Sequence, residues 1–416
     1  MAAPTAQAGT IEQHGGTERG AGRGSRRYLL AGALAASAYF WAPGLVASSW
    51  LFNAVGMSAA LALVIGARRH RPRQATAWYL LAAAQVAFVA GDVAYYGYEL
   101  AFPSVGDLFY LSAYPLQIGG LVVMIRSRYP GRDRSAVIDS AIVAAGAAVL
   151  SWGVLIEPYV RDGDLSMVAK AVAVAHPVLD VAFLAFIARL AAGRGARPPA
   201  ARLLATGFVL LLATDVVYAT MELGGGYHQG SWVDGGWLAY YVLLGAAALH
   251  PTMRALSEPA PDGRVRLTRV RLALLAAATL MAPAVEAAQS ARSQPPRIPV
   301  VALGSAVLFL LVLWRMAGLV AGLRAAVAAH QRAVERERVL RRSAEVVGAA
   351  LDHSTIEAAA LAAASALAGP ARDVEAHVLI DRGSGVRLPV AGLLGPEVAA
   401  RLATSRSLES PCAEVG

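Results

Sequence analysis

Cysteine and lysine are almost missing from this chain. Cys412 is the only cysteine and Lys170 the only lysine in 416 residues. A single thiol excludes an intramolecular disulfide and a cysteine-based zinc cluster. Gly224-Gly225-Gly226 is not a phosphate cradle, because no lysine follows it. Charge of either sign is also scarce, at 16% of residues against about 25% in ordinary soluble domains. No Walker, dinucleotide-binding, His-Glu-x-x-His or Gly-x-Ser-x-Gly pattern stands in a supporting context. What fills the chain instead is apolar: 57% of residues are hydrophobic and the mean hydropathy is +0.51. These residues lie in long runs, which makes an integral membrane protein the expected class.

The formal net charge is +9. A basic balance can mean nucleic acid, but here the arginines sit beside apolar runs, where they set membrane topology. No nucleic-acid partner is expected; the partner is the lipid bilayer. An Ala- and Arg-rich, Lys-poor composition hints at a high-GC bacterium.

Residues 1–27 are polar and Gly-rich and read as a disordered cytoplasmic tail. The apolar run Tyr28–Trp41 reads as a first span, with a cleaved signal peptide as the alternative. Nine more spans are expected: Trp50–Ala67, Trp78–Glu99, Asp107–Ile125, Ala136–Ile156, Met167–Leu190, Leu203–Leu223, Asp234–His250, Leu272–Ala288 and Pro299–Val320. Basic connections such as Arg68–Arg73, Arg126–Arg134 and Arg254–Arg271 are placed in the cytoplasm. Arg292 and Arg297 fall on the outer side and strain this topology. An even number of spans in a bacterial inner membrane places both termini in the cytoplasm.

After the last span, Val320, Leu323, Val327, His330 and Val334 step by threes and fours, as in a coiled coil. Glu335–Arg338 interrupts the stripe, and a second begins at Leu340, Ala344, Val347 and Leu351. Residues 321–351 therefore read as a signalling helix that pairs with a second copy, or as an amphipathic helix on the membrane surface. From 352 to 416 a helix, a strand at Val374–Ile380, a turn and a strand at Val386–Val390 suggest a partial α/β domain.

Within the span region, residues 78–126 and 203–250 echo each other. Asp92 and Asp215 lie inside the first helix of each copy. Asp107 and Asp234 open the second helix, each preceded by Ser-x-x in the pattern of a capping box. Tyr110 and Tyr114 match Trp237 and Tyr241 in offset. Such repeats in membrane chains mark duplicated bundles with a shared interior. Asp92 and Asp215 suggest an ion path, a ligand contact or a buried pair, or else sites near the interface bonded to Tyr96 and Tyr218. Asp107 and Asp234 are explained first as helix caps. His176 and Asp180 share one helix face, suited to a metal pair or proton relay, although Pro177 between them can simply kink the helix. Tyr95, Tyr96, Tyr110, Tyr114, Trp232, Trp237, Tyr240 and Tyr241 form either an interfacial belt or the wall of a ligand pocket.

The ordering of spans, charged helix and α/β start resembles the N-terminal half of actinobacterial membrane-bound cyclic-di-GMP signalling proteins. The resemblance rests on Phe102–Leu111 with Tyr114-Pro115, Asp133-Arg134 leading to Asp139, His176–Asp180, and Leu340–Ala350 running into a GAF-like start at about 343–390. It implies an all-α polytopic bundle of about ten transmembrane helices, a signalling helix and a partial GAF-like domain. The family's Gly-Gly-Asp/Glu-Glu-Phe and Glu-Ala-Leu motifs are missing from these residues, so the resemblance assigns no catalytic residue, cofactor or metal. The implied role is a sensor of an unknown small-molecule or membrane signal. A transporter or channel using the intramembrane carboxylates is the competing expectation, and a membrane enzyme ranks last.

Overall fold

The computed structural model describes residues 22–42, 44–98, 101–130, 134–192, 198–260, 275–281, 283–284, 287, 298–349 and 362. Among them all regular structure is helical. The helices are α1 (Arg23–Tyr39), α2 (Leu45–His70), α3 (Ala75–Gly97), α4 (Val105–Arg128), α5 (Arg134–Ser151), α6 (Glu157–Arg161), α7 (Met167–Ala192), α8 (Pro199–Leu223), α9 (Asp234–Leu249) and α10 (Ile298–Ala349). The expected α/β domain at 352–416 lies outside the described residues, apart from Ala362.

Among the described residues, seven segments are long and apolar enough to cross a membrane: Ser48–His70, Ala75–Tyr96, Val105–Arg128, Arg134–Arg161, Met167–Ala191, Pro199–Leu223 and Ala302–Arg342. Their lipid-type surface is visible in Leu61, Ile65, Val86, Val137, Val178 and Val209, all exposed. Gln85, Gln117 and Asp139 are turned inward. This is the polarity a bilayer demands, with polar groups facing protein. The count differs from the ten expected spans. α1 has 17 residues and α9 only 16, and most of the run Leu272–Ala288 lies outside the described residues.

Local chemistry sets the helix ends. Ser104 and Asp107 form a full capping box at the start of α4: Gly106 N–H donates to Ser104 Oγ at 3.1 Å, and Ser104 N–H donates to Asp107 Oδ2 at 2.6 Å. α2 ends with Arg68, Arg69 and His70 in its last turn, where cations complement the helix dipole, and then Arg71 turns left-handed at φ 46°. α5 runs through a π turn at Trp152–Ile156 into α6. π turns commonly re-aim side chains at sites, and both Leu155 and Tyr159 reach the central cavity.

α2, α3, α4, α7, α8 and α9 pack in sequence around a ring, with α9 closing against α2. α1 covers α9, and α5 lies against α7. One end of this ring is filled: Leu63, Trp78, Leu81, Leu121, Met124 and Leu204 are fully buried. The Arg-rich connections meet at the same end. There the His70 imidazole contacts Leu249 O at 3.2 Å, Arg128 donates to Ala255 O, and Ala200 N–H donates to Thr252 Oγ1 at 3.1 Å. A smaller cluster joins Ile138, Ile142 and Val149 of α5 to Ala278 and to Leu308 of α10.

α2 and α9 touch backbone to backbone. A Cβ added at Gly66 would stand 2.2 Å from Ala248 O, which is fixed backbone. Close small-residue contacts of this kind hold membrane helices together. Gly66→Ala is expected to cost about 1–3 kcal/mol, the usual penalty for overpacking, read as a lower unfolding midpoint in lipid nanodiscs. Gly318→Ala meets nothing within 4 Å and is expected to be neutral or stabilising by about 0.5–1 kcal/mol through helix propensity.

Candidate functional site

The two echoing segments carry the same chemistry. In the first hairpin, α3–α4, Tyr110 donates its hydroxyl to Asp92 Oδ1 at 2.7 Å. In the second, α8–α9, Trp237 Nε1–H donates to Asp215 Oδ1 at 2.8 Å. Each aspartate on the first helix thus meets an aromatic donor on the second, three residues after Asp107 or Asp234. The partners are Tyr110 and Trp237, not Tyr96 and Tyr218. Gly91 makes room for the first pair, since a Cβ there would stand 2.7 Å from the Tyr110 ring.

The copies diverge at the helix starts. Asp107 is the capping residue the pattern predicts. Asp234 is not: Ser231 Oγ is buried with no hydrogen-bond partner, so no capping box forms. The Asp234 carboxylate instead accepts from the Tyr39 hydroxyl, from Gly230 N–H at 2.7 Å and from the Tyr227 hydroxyl at 3.0 Å. The longer connection of the second copy brings Tyr227 and Gly230 to it. Burial, with Tyr96 and Asp234 nearby, holds the Tyr227 hydroxyl above its usual range, so it stays protonated and remains a donor.

The third contributor is α7. Tyr114 donates to Asp180 Oδ1 at 2.7 Å, and the His176 ring stands edge-on to Tyr114 with centroids 6.1 Å apart. His176 and Asp180 therefore do share a face, and both point inward. Among the described residues no group of three or more His, Cys, Asp or Glu converges as a metal site. Tyr241, the repeat mate of Tyr114, packs on Phe52 at 5.8 Å and Tyr240 at 5.3 Å.

All eight expected site residues line one cavity of about 500 Å³ inside the ring. It lies at the end opposite the Arg-rich connections, because Phe102, Asp162, Leu165, Tyr227 and Gln229 from the other set of loops border it. Seven carboxylates reach it: Asp92, Asp107, Asp162, Asp180, Asp215, Glu222 and Asp234. No arginine or lysine is among its described lining residues. Aromatic rings cover much of the rest, including Tyr95, Tyr96, Tyr110, Tyr114, Trp237, Tyr240 and Tyr241. Of the aromatics named from sequence, Trp232 is the exception, 70% exposed and away from the wall. The others line the cavity wall.

Several residues escaped the sequence reading. Glu222, Asp162 and Asn53 line the cavity. Below it, Gln85 Nε2–H donates to the Tyr240 hydroxyl at 2.7 Å, and that hydroxyl donates to Gln117 Oε1 at 3.2 Å. All three residues are fully buried. Glutamines inside apolar helices were the available signal. Comparison with protein families, with curated proteins and with solved structures finds no match to this chain.

Proposed function

We propose that this chain is the input region of a bacterial membrane sensor, of the cyclic-di-GMP signalling type that its sequence resembles. In this reading the cavity receives a signal from outside the inner membrane, and α10 carries the response to the cytoplasm. The observation that carries it is the length of α10. Ile298–Ala349 is one uninterrupted helix of 52 residues, about 78 Å at 1.5 Å per residue. A bilayer core needs only about 30 Å. A transporter has no use for the remainder, whereas a sensor needs a rigid element that leaves the membrane.

Further support comes from the surface of that helix. From the middle of that helix onward, Val320, Leu323, Val327 and Leu340 are exposed apolar residues, as a homodimeric coiled coil through 321–351 requires. The Glu335–Arg338 stretch does not interrupt the helix, and Arg341 pairs with Glu337 at 3.1 Å along it. Arginines at the filled end of the ring support a cytoplasmic location for that end in this reading, with both termini on the same side as the sequence expectation has it. The competing transporter reading draws on the same carboxylate-lined cavity, although buried residues such as Leu63, Trp78 and Leu121 pack the opposite end of the ring. No catalytic step is assigned to this chain.

The test is a chimera in which residues 1–349 drive a cyclase output domain, with alanines inserted after Ala329. Each added residue turns the downstream helix by about 100°. Insertion of one or two residues is expected to change cyclase output several-fold, and insertion of seven to restore it. Output indifferent to insertion length would overturn the reading.

A further inference from the structure

The cavity combines features that select a ligand class. Asp92 Oδ2 and Asn53 Oδ1 are buried on the wall with no hydrogen-bond partner. A buried acceptor left unpaired is costly, so the complement is a molecule that donates. Carboxylates inside a membrane bundle also need counter-charge, and the described wall offers no arginine or lysine. The aromatic faces that fill the remaining wall attract cations directly.

A metal ion held by three or more carboxylate or imidazole groups does not fit this arrangement. A metal ion needs ligands converging on one point, and the described carboxylates do not converge. They are distributed along the cavity instead. Asp107 and Asp234 are already engaged at the helix starts. Asp180 and Asp215 lie within electrostatic reach of each other. On α8, Asp215 and Glu222 are seven residues apart on one face, a separation of about 10.5 Å at 1.5 Å per residue, and Tyr218 lies between them on the same wall. Two carboxyl groups at that spacing with an aromatic between them match two ammonium groups joined by an alkyl chain.

We propose that the cavity binds a linear organic cation with more than one ammonium centre, a polyamine. Asp215, with Asp180, holds the inner ammonium; Glu222 holds the outer one; Asp92 and Asn53 accept the remaining N–H groups; the rings enclose the alkyl chain. This inference rests on the sensor reading of the same cavity and adds the identity of its ligand.

The experiment uses the full chain in nanodiscs of zwitterionic lipid, with empty nanodiscs as background, and measures spermidine binding by equilibrium dialysis. Saturable binding of one spermidine per chain is expected, quenching Trp237 fluorescence, while neutral 1,8-octanediol does not bind. Asp215→Asn is expected to weaken binding at least tenfold. Glu222→Gln, a change at an exposed residue that leaves the packed interior intact, is expected to weaken it several-fold. No saturable spermidine binding to the wild-type chain, equal binding of the diol, or affinity unchanged in Glu222→Gln would each overturn the proposal. Spermidine uptake into proteoliposomes would keep the ligand and replace the sensor by a transporter. Failure of the α10 phase test with binding intact would likewise remove only the sensor.

Discussion

Asp139→Leu is expected to destabilise the bundle by about 3–5 kcal/mol, the cost of breaking one side of a buried ion pair. Arg315 lies on α10 and Asp139 on α5, and their side chains meet at 2.5 Å between Nε and Oδ1. They are 6% and 3% exposed, so solvent does little to screen either charge. Removing the carboxylate leaves a buried guanidinium without the Asp139 partner, on helices whose contact is otherwise apolar through Ile138, Ile142 and Leu308. Such a charge is costly in a membrane-spanning helix. The double variant Asp139→Leu with Arg315→Met is expected to recover most of the loss, because apolar pairs commonly replace buried ion pairs without penalty. Thermal unfolding in nanodiscs reads both. A double variant as unstable as Asp139→Leu would mean that the loss does not come from an uncompensated Arg315.

The pair also shows where sequence reasoning stopped. Asp139 was visible as part of the family resemblance, but nothing local connects it to Arg315, 176 residues away. The two hairpins were legible because their signals are local: a cap, an aspartate inside an apolar run, and aromatics at fixed offsets. Those offsets put Tyr110 on Asp92 and Trp237 on Asp215. The same local pattern misled at Ser231, where the carboxylate of Asp234 answers to Tyr39 on another helix. Hydropathy could place the helices but could not say what covers them. α9 is apolar because protein surrounds it, with Leu238, Leu244, Ala247 and Ala248 fully buried, and its 16 residues are fewer than a free span needs. Gln85 and Gln117 were overlooked for a related reason. A lone amide in an apolar run has no meaning until the fold places both beside the Tyr240 hydroxyl.

Coupling between the cavity and α10 is the central claim, and a distance measurement tests it most directly. Cys412 is the only native thiol, so Cys412→Ser gives a clean background for a spin label at Val327→Cys, an exposed position on α10. In a homodimer the two labels report the spacing of the paired helices. A ligand that favours one packing of the ring shifts the population of that spacing. The measurement is pulsed electron resonance in nanodiscs with and without saturating spermidine. The distance distribution is expected to shift on addition in the otherwise wild-type bundle and to stay fixed in Asp215→Asn. Identical distributions with spermidine demonstrably bound would contradict the account, since the cavity would then bind without informing the helix.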